Sequence, residues 1–124
     1  MKINPEFKAK WVEALRSGKY TQGTSLLKQY SNKDQVVHCC LGVACEVAGI
    51  PSKVTKNRPI VFIFEDGTPQ GEIYELPLDF AEKMGLEGKN PEVVIKGVRV
   101  NLTRCNDGLK MTFEEIADLI ESQL

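Results

Sequence analysis

The chain has 124 residues, of which 42% are hydrophobic and 27% charged, and its formal net charge at pH 7 is −1. This length suits a single domain with its own core, and we expect one domain over residues 1–124 that needs no metal or disulfide to fold. The near-neutral charge argues against direct nucleic-acid binding, which normally comes with an excess of basic residues.

The first predicted element is a helix near the amino terminus. Asn4 is a suitable cap, Pro5 suits the first helical position, and Gly18 suits the end. Phe7, Trp11 and their apolar neighbours at helical spacing predict one buried face.

The next stretch, residues 19–33, leaves two alternatives open. A short helix could begin at Gly23-Thr24-Ser25, or a strand could begin at Tyr20. Residues 31–34 are polar and predict a turn, and residues 53–58 predict a solvated loop. The expected order elsewhere is an extended piece at 35–39, a helix at 40–48, strands at 60–64 and 72–76, a short helix from Pro77 to Gly85, and strands at 93–95 and 98–102.

The last helix is predicted by a capping box, with Thr112 as the cap and Glu115 three residues later. Before it, Cys105-Asn106-Asp107-Gly108 has the composition of a turn. Helices at both ends with strands between them predict an α+β class, a single compact domain whose terminal helices pack on a small antiparallel sheet.

Location is predicted from two sequence features. No apolar stretch is long enough to span a bilayer, and the first residues lack the apolar segment of a signal peptide. We therefore expect a cytoplasmic protein without membrane contact, in a compartment where thiols stay reduced. The sequence leaves the oligomeric state open.

Three of the four cysteines and the only histidine lie within residues 38–45. Cys40 is expected at the start of a helix, where the helix dipole would lower its pKa and favour a nucleophile. A cysteine hydrolase or transferase also needs a base, and His38 would point away from that thiol. Catalysis by Cys40, with Asn106 or Asp107 as an orienting partner, therefore remains an alternative only.

Metal binding is the second interpretation of this segment. Zinc sites usually contain Cys-x-x-Cys pairs, which this sequence lacks. A site built from His38, Cys105 and either Cys40 or Cys45 is conceivable. The favoured interpretation is that the thiols are packed in a core helix that is apolar on nearly every side. We expect no metal and no cofactor.

Five polar residues are candidates for binding a small ligand. Asn106 and Asp107 could recognise a polar group at a loop rim, although a turn is the favoured interpretation. Arg16, Tyr20 and Gln22 lie in a stretch that exposes donors suited to an anion or a nucleotide, without the glycine pattern of a phosphate loop.

Three stretches together resemble a known family. They are W-V-E-A-L-R-S-G-K-Y-T-Q-G from Trp11 to Gly23, C-C-L-G-V-A-C from Cys39 to Cys45, and Asn106-Asp107 followed by F-E-E-I-A-D-L-I from Phe113 to Ile120. They resemble a family of small proteins of phages, prophages and bacteria that has no established activity. The resemblance implies a phage-type accessory protein in the host cytoplasm.

The resulting expectation is a non-enzymatic accessory protein that binds a host protein or a small polar ligand. One alternative is a protein that sequesters a nucleotide through Arg16, Tyr20, Gln22, Asn106 and Asp107. The other alternative is the cysteine-dependent enzyme.

Overall fold

The computed structural model describes residues 3–54, 60–63 and 74–124. Its elements are, in chain order, α1 (Pro5–Arg16), β1 (Lys28–Tyr30), β2 (Val36–His38), α2 (Cys40–Val47), β3 (Ser52–Val54), β4 (Ile60–Phe62), α3 (Leu78–Lys83), β5 (Glu92–Ile95), β6 (Val98–Asn101), α4 (Leu102–Asp107) and α5 (Phe113–Gln123). Helices begin and end the order, and the strands lie between them. The predicted α+β class is confirmed.

The two terminal helices begin where the sequence predicts. The side chain of Asn4 accepts a hydrogen bond from the backbone N–H of Phe7 at 3.0 Å, which caps α1. In α5, Thr112 accepts from the N–H of Glu115, and the Glu115 side chain accepts from the N–H of Thr112, which completes the capping box. These helices pack against each other along their apolar faces.

The strands form three two-stranded antiparallel sheets. In the first, Lys28 of β1 lies opposite His38 of β2. The second joins β3 to β4, and the third joins β5 to β6 through a tight turn in which Lys96 and Gly97 have φ values of 50° and 81°. Two positive φ values suit a two-residue hairpin turn, as the Lys-Gly pair predicted.

The partner of β4 differs from the predicted one. Residues 72–76 were expected to return beside it, but β4 pairs with β3, whose Ser52 and Val54 begin and end the strand. Residues 74–76 are not in a strand, and residues 72 and 73 lie outside the described part. The prediction of a loop at 53–58 was therefore wrong for Lys53 and Val54, while residues 55–58 are not described.

The predicted turn at Cys105–Gly108 is instead the end of a helix. Asn101 caps α4 by accepting a hydrogen bond from the N–H of Arg104 at 2.9 Å, so helical structure already begins at Leu102. Gly108 follows with φ −79°, outside the left-handed region that a turn of this composition would use. The strand predicted at 98–102 accordingly ends at Asn101.

Neither alternative for the start of the 19–33 stretch is correct. Gln22 forms an isolated parallel bridge with His38, and the regular strand begins only at Lys28. Backbone hydrogen bonds from Gly23 N–H to His38 O and from His38 N–H to Thr21 O hold this segment beside β2. We refer to residues 19–27 as the motif loop.

Helix α2 lies in the centre of the core. All residues from Cys40 to Cys45 are buried, as expected for a helix with an apolar sequence on every side. It contacts α1, α4 and β2. Among the described residues, no helix has the length and apolar character needed to cross a bilayer.

Candidate functional site

The side chain of Asn106 connects three parts of the chain. Its Oδ1 accepts hydrogen bonds from Gln22 Nε2 at 2.9 Å and from the backbone N–H of Cys40 at 3.3 Å. Its Nδ2 donates to the carbonyl oxygen of Gly23 and to Asp107 Oδ1, both at 2.8 Å. Asn106 is 2% exposed, so these bonds compensate for its removal from water. We call this set of contacts the Asn106 network.

Two more bonds close the network around the motif loop. Gln22 Nε2 also donates to the carbonyl oxygen of Met111 at 2.8 Å, and Asp107 Oδ2 accepts from the N–H of Ser25 at 3.1 Å. Ser25 has φ 74°, a left-handed conformation that costs energy for a residue with a side chain. The bond to Asp107 offsets part of that cost and holds the loop against α4.

The network therefore brings together three of the five residues predicted to bind a ligand: Gln22, Asn106 and Asp107. It also reaches the N–H of Cys40, so the motifs of residues 11–23, 39–45 and 106–107 meet at one place in the fold. The contacts connect the motif loop to α2 and α4. These side chains stabilise the junction between the motif loop, α2 and α4.

The thiol of Cys40 lies in a fully buried position at the first turn of α2. Burial raises its pKa well above the ordinary value, and the neighbouring thiols Cys39 and Cys105 add to the effect. The expectation that the helix terminus lowers this pKa was wrong, because desolvation of the buried thiolate outweighs the effect of the helix dipole. The thiol points towards the carbonyl oxygen of Leu102, 3.6 Å away.

The other cysteines are also free and buried. Burial raises the pKa of Cys39 to about 11 and raises those of Cys45 and Cys105. Within the described ranges, no three His, Cys, Asp or Glu side chains lie in an arrangement that could hold a metal ion. His38 Nε2 instead lies 2.7 Å from the carboxylate of Glu46.

A second polar cluster, centred on Glu46, was not predicted from the sequence. Glu46 Oε2 lies 2.7 Å from His38 Nε2 and 2.8 Å from Lys28 Nζ. Burial raises the pKa of Glu46, but the hydrogen bonds from His38 and Lys28 outweigh this effect and hold the pKa below its usual value. Because His38 and Lys28 are opposite each other across the β1–β2 pair, both reach the same carboxylate on α2.

Lys28 extends this cluster to the second sheet. Its Nζ donates to Ser52 Oγ at 2.9 Å and lies 5.6 Å from the ring centre of Phe62. The other nitrogen of His38, Nδ1, is buried and has no hydrogen-bond partner among the described residues. We call Lys28, His38, Glu46 and Ser52 the charged cluster.

Lys28, Glu46 and Ser52 were missed because they are far apart in sequence and have no recognisable spacing. One signal was present: Glu46 is the only charged residue of the apolar helix α2. A carboxylate at such a position needs partners, and His38 eight residues earlier was one available donor.

The other two predicted ligand-binding residues, Tyr20 and Arg16, make contacts outside the Asn106 network. The ring of Tyr20 packs edge-on against that of His38, with centroids 5.1 Å apart. Arg16 connects α1 to α5 through bonds to Asp118 at 2.6 Å and Glu121 at 2.9 Å. The five predicted ligand-binding residues therefore lie in three places: the Asn106 network, the ring contact with His38, and the ion pairs between α1 and α5.

Arg16 also lines an open groove of about 700 Å³ beside α1. Pro5, Ala9 and Val12 contribute apolar surface to it. Charged side chains surround this surface, namely Lys8, Glu13 and Arg16 from α1 and Glu121 from α5. We call it the α1 groove.

Comparison with known proteins places this chain in a family. One family model matches residues 3–124, which is nearly the whole chain. The chain belongs to the DUF8296 family. DUF8296 is described as a domain of unknown function, and no curated protein or solved structure matches the chain. In this DUF8296 chain, the sequence motifs meet in the Asn106 network.

Proposed function

We propose that this DUF8296 protein is a non-enzymatic accessory protein of the phage type that binds a host protein through the α1 groove. The observation that carries the proposal is the groove itself, with exposed apolar surface at Pro5 and Ala9. The groove has a volume of about 700 Å³ and is open to solvent. A partner helix that buries apolar side chains at Ala9 would match this surface.

The charged side chains around the groove indicate whether the partner is a protein or a small anion. Lys8 supplies positive charge and Glu13 supplies negative charge along the rim, whereas Arg16 is already paired with Glu121 and Asp118. Such mixed rims favour a protein surface with complementary charges of both signs over a ligand of one sign. This favours a protein partner over a small anion.

The nucleotide alternative is weaker for the same reason. A nucleotide phosphate would have to compete with two carboxylates, Asp118 and Glu121, for the guanidinium of Arg16. Gln22 and Asn106 would have to give up hydrogen bonds that hold the motif loop in place. The cysteine-dependent alternative is also less supported, because the pKa of Cys40 is raised by burial.

Site-specific photocrosslinking tests the proposal. A photoreactive amino acid replaces Ala9, which is exposed in the groove, or Lys33, which is exposed in the β1–β2 turn outside it. We expect one discrete protein adduct in bacterial cells from position 9 and none from position 33. The adduct is identified by mass spectrometry, and binding is then measured with the purified partner.

The purified partner allows a matched comparison. Ala9→Arg places a long charged side chain in the groove and should weaken binding at least about tenfold, which corresponds to about 1.4 kcal/mol. Lys33→Ala should bind as the wild type does. The proposal is overturned if no adduct forms at position 9, or if Ala9→Arg keeps its fold and binds the partner unchanged.

A further inference from the structure

The outer edge of β5 is held by a side chain rather than by another strand. Val94 lies opposite Arg99 in the β5–β6 hairpin, one pair away from the pair Ile95–Val98 that flanks the two-residue turn. In this register the N–H and C=O of Val94 point away from β6. They would be free for a third strand.

The amide of Gln123 occupies that place. Its Oε1 accepts a hydrogen bond from the N–H of Val94 at 2.6 Å, and its Nε2 donates to the carbonyl oxygen of Val94 at 2.8 Å. A primary amide that donates and accepts in this way makes the same pair of bonds as one residue of a neighbouring antiparallel strand, whose own N–H and C=O would bond to Val94. Gln123 is therefore a single-residue substitute for a strand.

A cavity of about 280 Å³ lies beside this edge. Ile3, Leu86 and Val93 contribute apolar surface to it, and Glu87 and Glu92 contribute carboxylates. Arg99 also lines the cavity and lies 3.6 Å from Glu92, which leaves the second carboxylate, that of Glu87, in excess. The edge thus combines backbone bonding groups, an apolar recess and net negative charge.

We propose that an extended, basic segment of a partner protein adds to β5 as a third strand and displaces the Gln123 side chain. This inference rests on the proposed function in taking a protein as the partner. One residue of an extended backbone can make both bonds to Val94 that Gln123 now makes, the recess takes an apolar side chain, and Glu87 favours lysine or arginine nearby. A second copy of this chain fits less well, because it would bring its own Glu87 carboxylate to an edge where Glu87 is already in excess.

The Gln123 side chain would compete with the incoming strand for Val94, so removing this side chain should increase the affinity for the strand. Gln123→Ala removes the competitor and leaves the N–H of Val94 open. The probe is a six-residue peptide of alternating lysine and valine, and binding is followed by NMR through chemical shifts and amide exchange at Val94. Gln123→Ala should bind the peptide at least about tenfold more tightly than the wild type does, and bound peptide should slow exchange of the Val94 N–H.

Three controls make the test specific. Ser122→Ala changes the exposed neighbour of Gln123 and should bind as the wild type does. A peptide with methylated backbone nitrogens cannot pair with the edge and should not bind. A peptide of alternating glutamate and valine should bind at least about tenfold more weakly than the lysine peptide.

The inference is overturned if Gln123→Ala does not bind the lysine peptide, if the methylated peptide binds equally well, or if Gln123→Ala dimerises through β5 in sedimentation experiments. These outcomes are distinct from failure of the proposed function. A position-9 adduct that persists while the edge binds no peptide overturns only this inference. Loss of the position-9 adduct overturns the groove proposal and leaves the measured edge binding as it stands.

Discussion

Gly42 of α2 lies directly against the carbonyl oxygen of Leu27. A Cβ atom at position 42 would overlap this backbone oxygen, and the Leu27 carbonyl carbon lies close behind it. The same oxygen accepts a hydrogen bond from the N–H of Cys39 at 3.3 Å. The motif loop thus approaches the central helix more closely than any residue with a side chain permits.

Gly42→Ala should destabilise the fold by about 3 kcal/mol or more, at the upper end of the usual cost of overpacking, because backbone must move to admit the methyl group. Gly88→Ala is the matched control, since a Cβ there meets no atom within 4 Å. It should change the free energy of unfolding by less than about 0.5 kcal/mol. Urea denaturation followed by circular dichroism measures both, and equal stability of the two variants would contradict the close approach.

Asn106→Asp should also destabilise the protein, by about 3 kcal/mol or more, since it buries a charge. The substitution replaces an N–H donor with an oxygen that faces the carboxylate of Asp107 and the carbonyl of Gly23. Asn32→Asp, at an exposed position, should stay within about 0.5 kcal/mol of the wild type. Urea denaturation tests both variants.

A second substitution separates this electrostatic effect from general damage. Asp107→Asn in the Asn106→Asp background lets residue 107 donate to residue 106, which reverses the original bond. Part of the lost stability should return. If the double variant is no more stable than Asn106→Asp, the side-chain bond between these two positions does not contribute as described.

The charged cluster predicts a pH dependence of stability. The folded protein holds the pKa of Glu46 below its usual value, so Glu46 stabilises the fold fully above its unfolded pKa of about 4.3. This contribution disappears as the pH falls through the folded pKa. Urea midpoints between pH 7 and pH 3 should therefore show a wild-type advantage over Glu46→Gln that narrows below about pH 4.3.

The companion variant is Lys28→Met, which removes one of the two donors to Glu46. Its stability should depend on pH less steeply than that of the wild type in the same range. A gap between wild type and Glu46→Gln that stays constant from pH 7 to pH 3 would show that the folded and unfolded pKa values of Glu46 are equal.

The thiols should resist alkylation in the folded protein. Cys39 is 2% exposed and the other three cysteines are fully buried, and burial raises all four pKa values. Iodoacetamide at pH 8 should label none of the four during the time in which it labels all of them in urea. Mass spectrometry gives the count, and rapid labelling of Cys40 in the native state would restore the enzyme hypothesis.

Those parts of the fold with local signals could be predicted from the sequence. Asn4 and Thr112 mark helix starts through bonds to residues three positions away, and Lys96-Gly97 specifies its own turn. Asn106 and Asp107 show the limit of local interpretation. Their composition suggests a turn, yet they end a helix capped by Asn101, and their side chains bond to the motif loop more than 80 residues earlier.

In the candidate site, too, residue types could be read from the sequence but long-range contacts could not. The sequence singled out Gln22, Asn106 and Asp107 as candidate ligand-binding residues, and that ligand role stays a prediction. That their partners are one another could not be predicted, since no spacing in the sequence indicates which distant segments meet. Lys28 and Ser52 were missed for this reason, and so was the strand pairing that brings Ser52 near Lys28.

The meeting of the motifs in the Asn106 network affects how chains of this family can be compared. Because Gln22, Gly42 and Asn106 specify a junction in the interior, two chains that share these residues are expected to share an architecture. They need not share a partner. Differences in biological role should be sought at Ala9 and around Val94, where substitutions alter the surface and leave the interior junction intact.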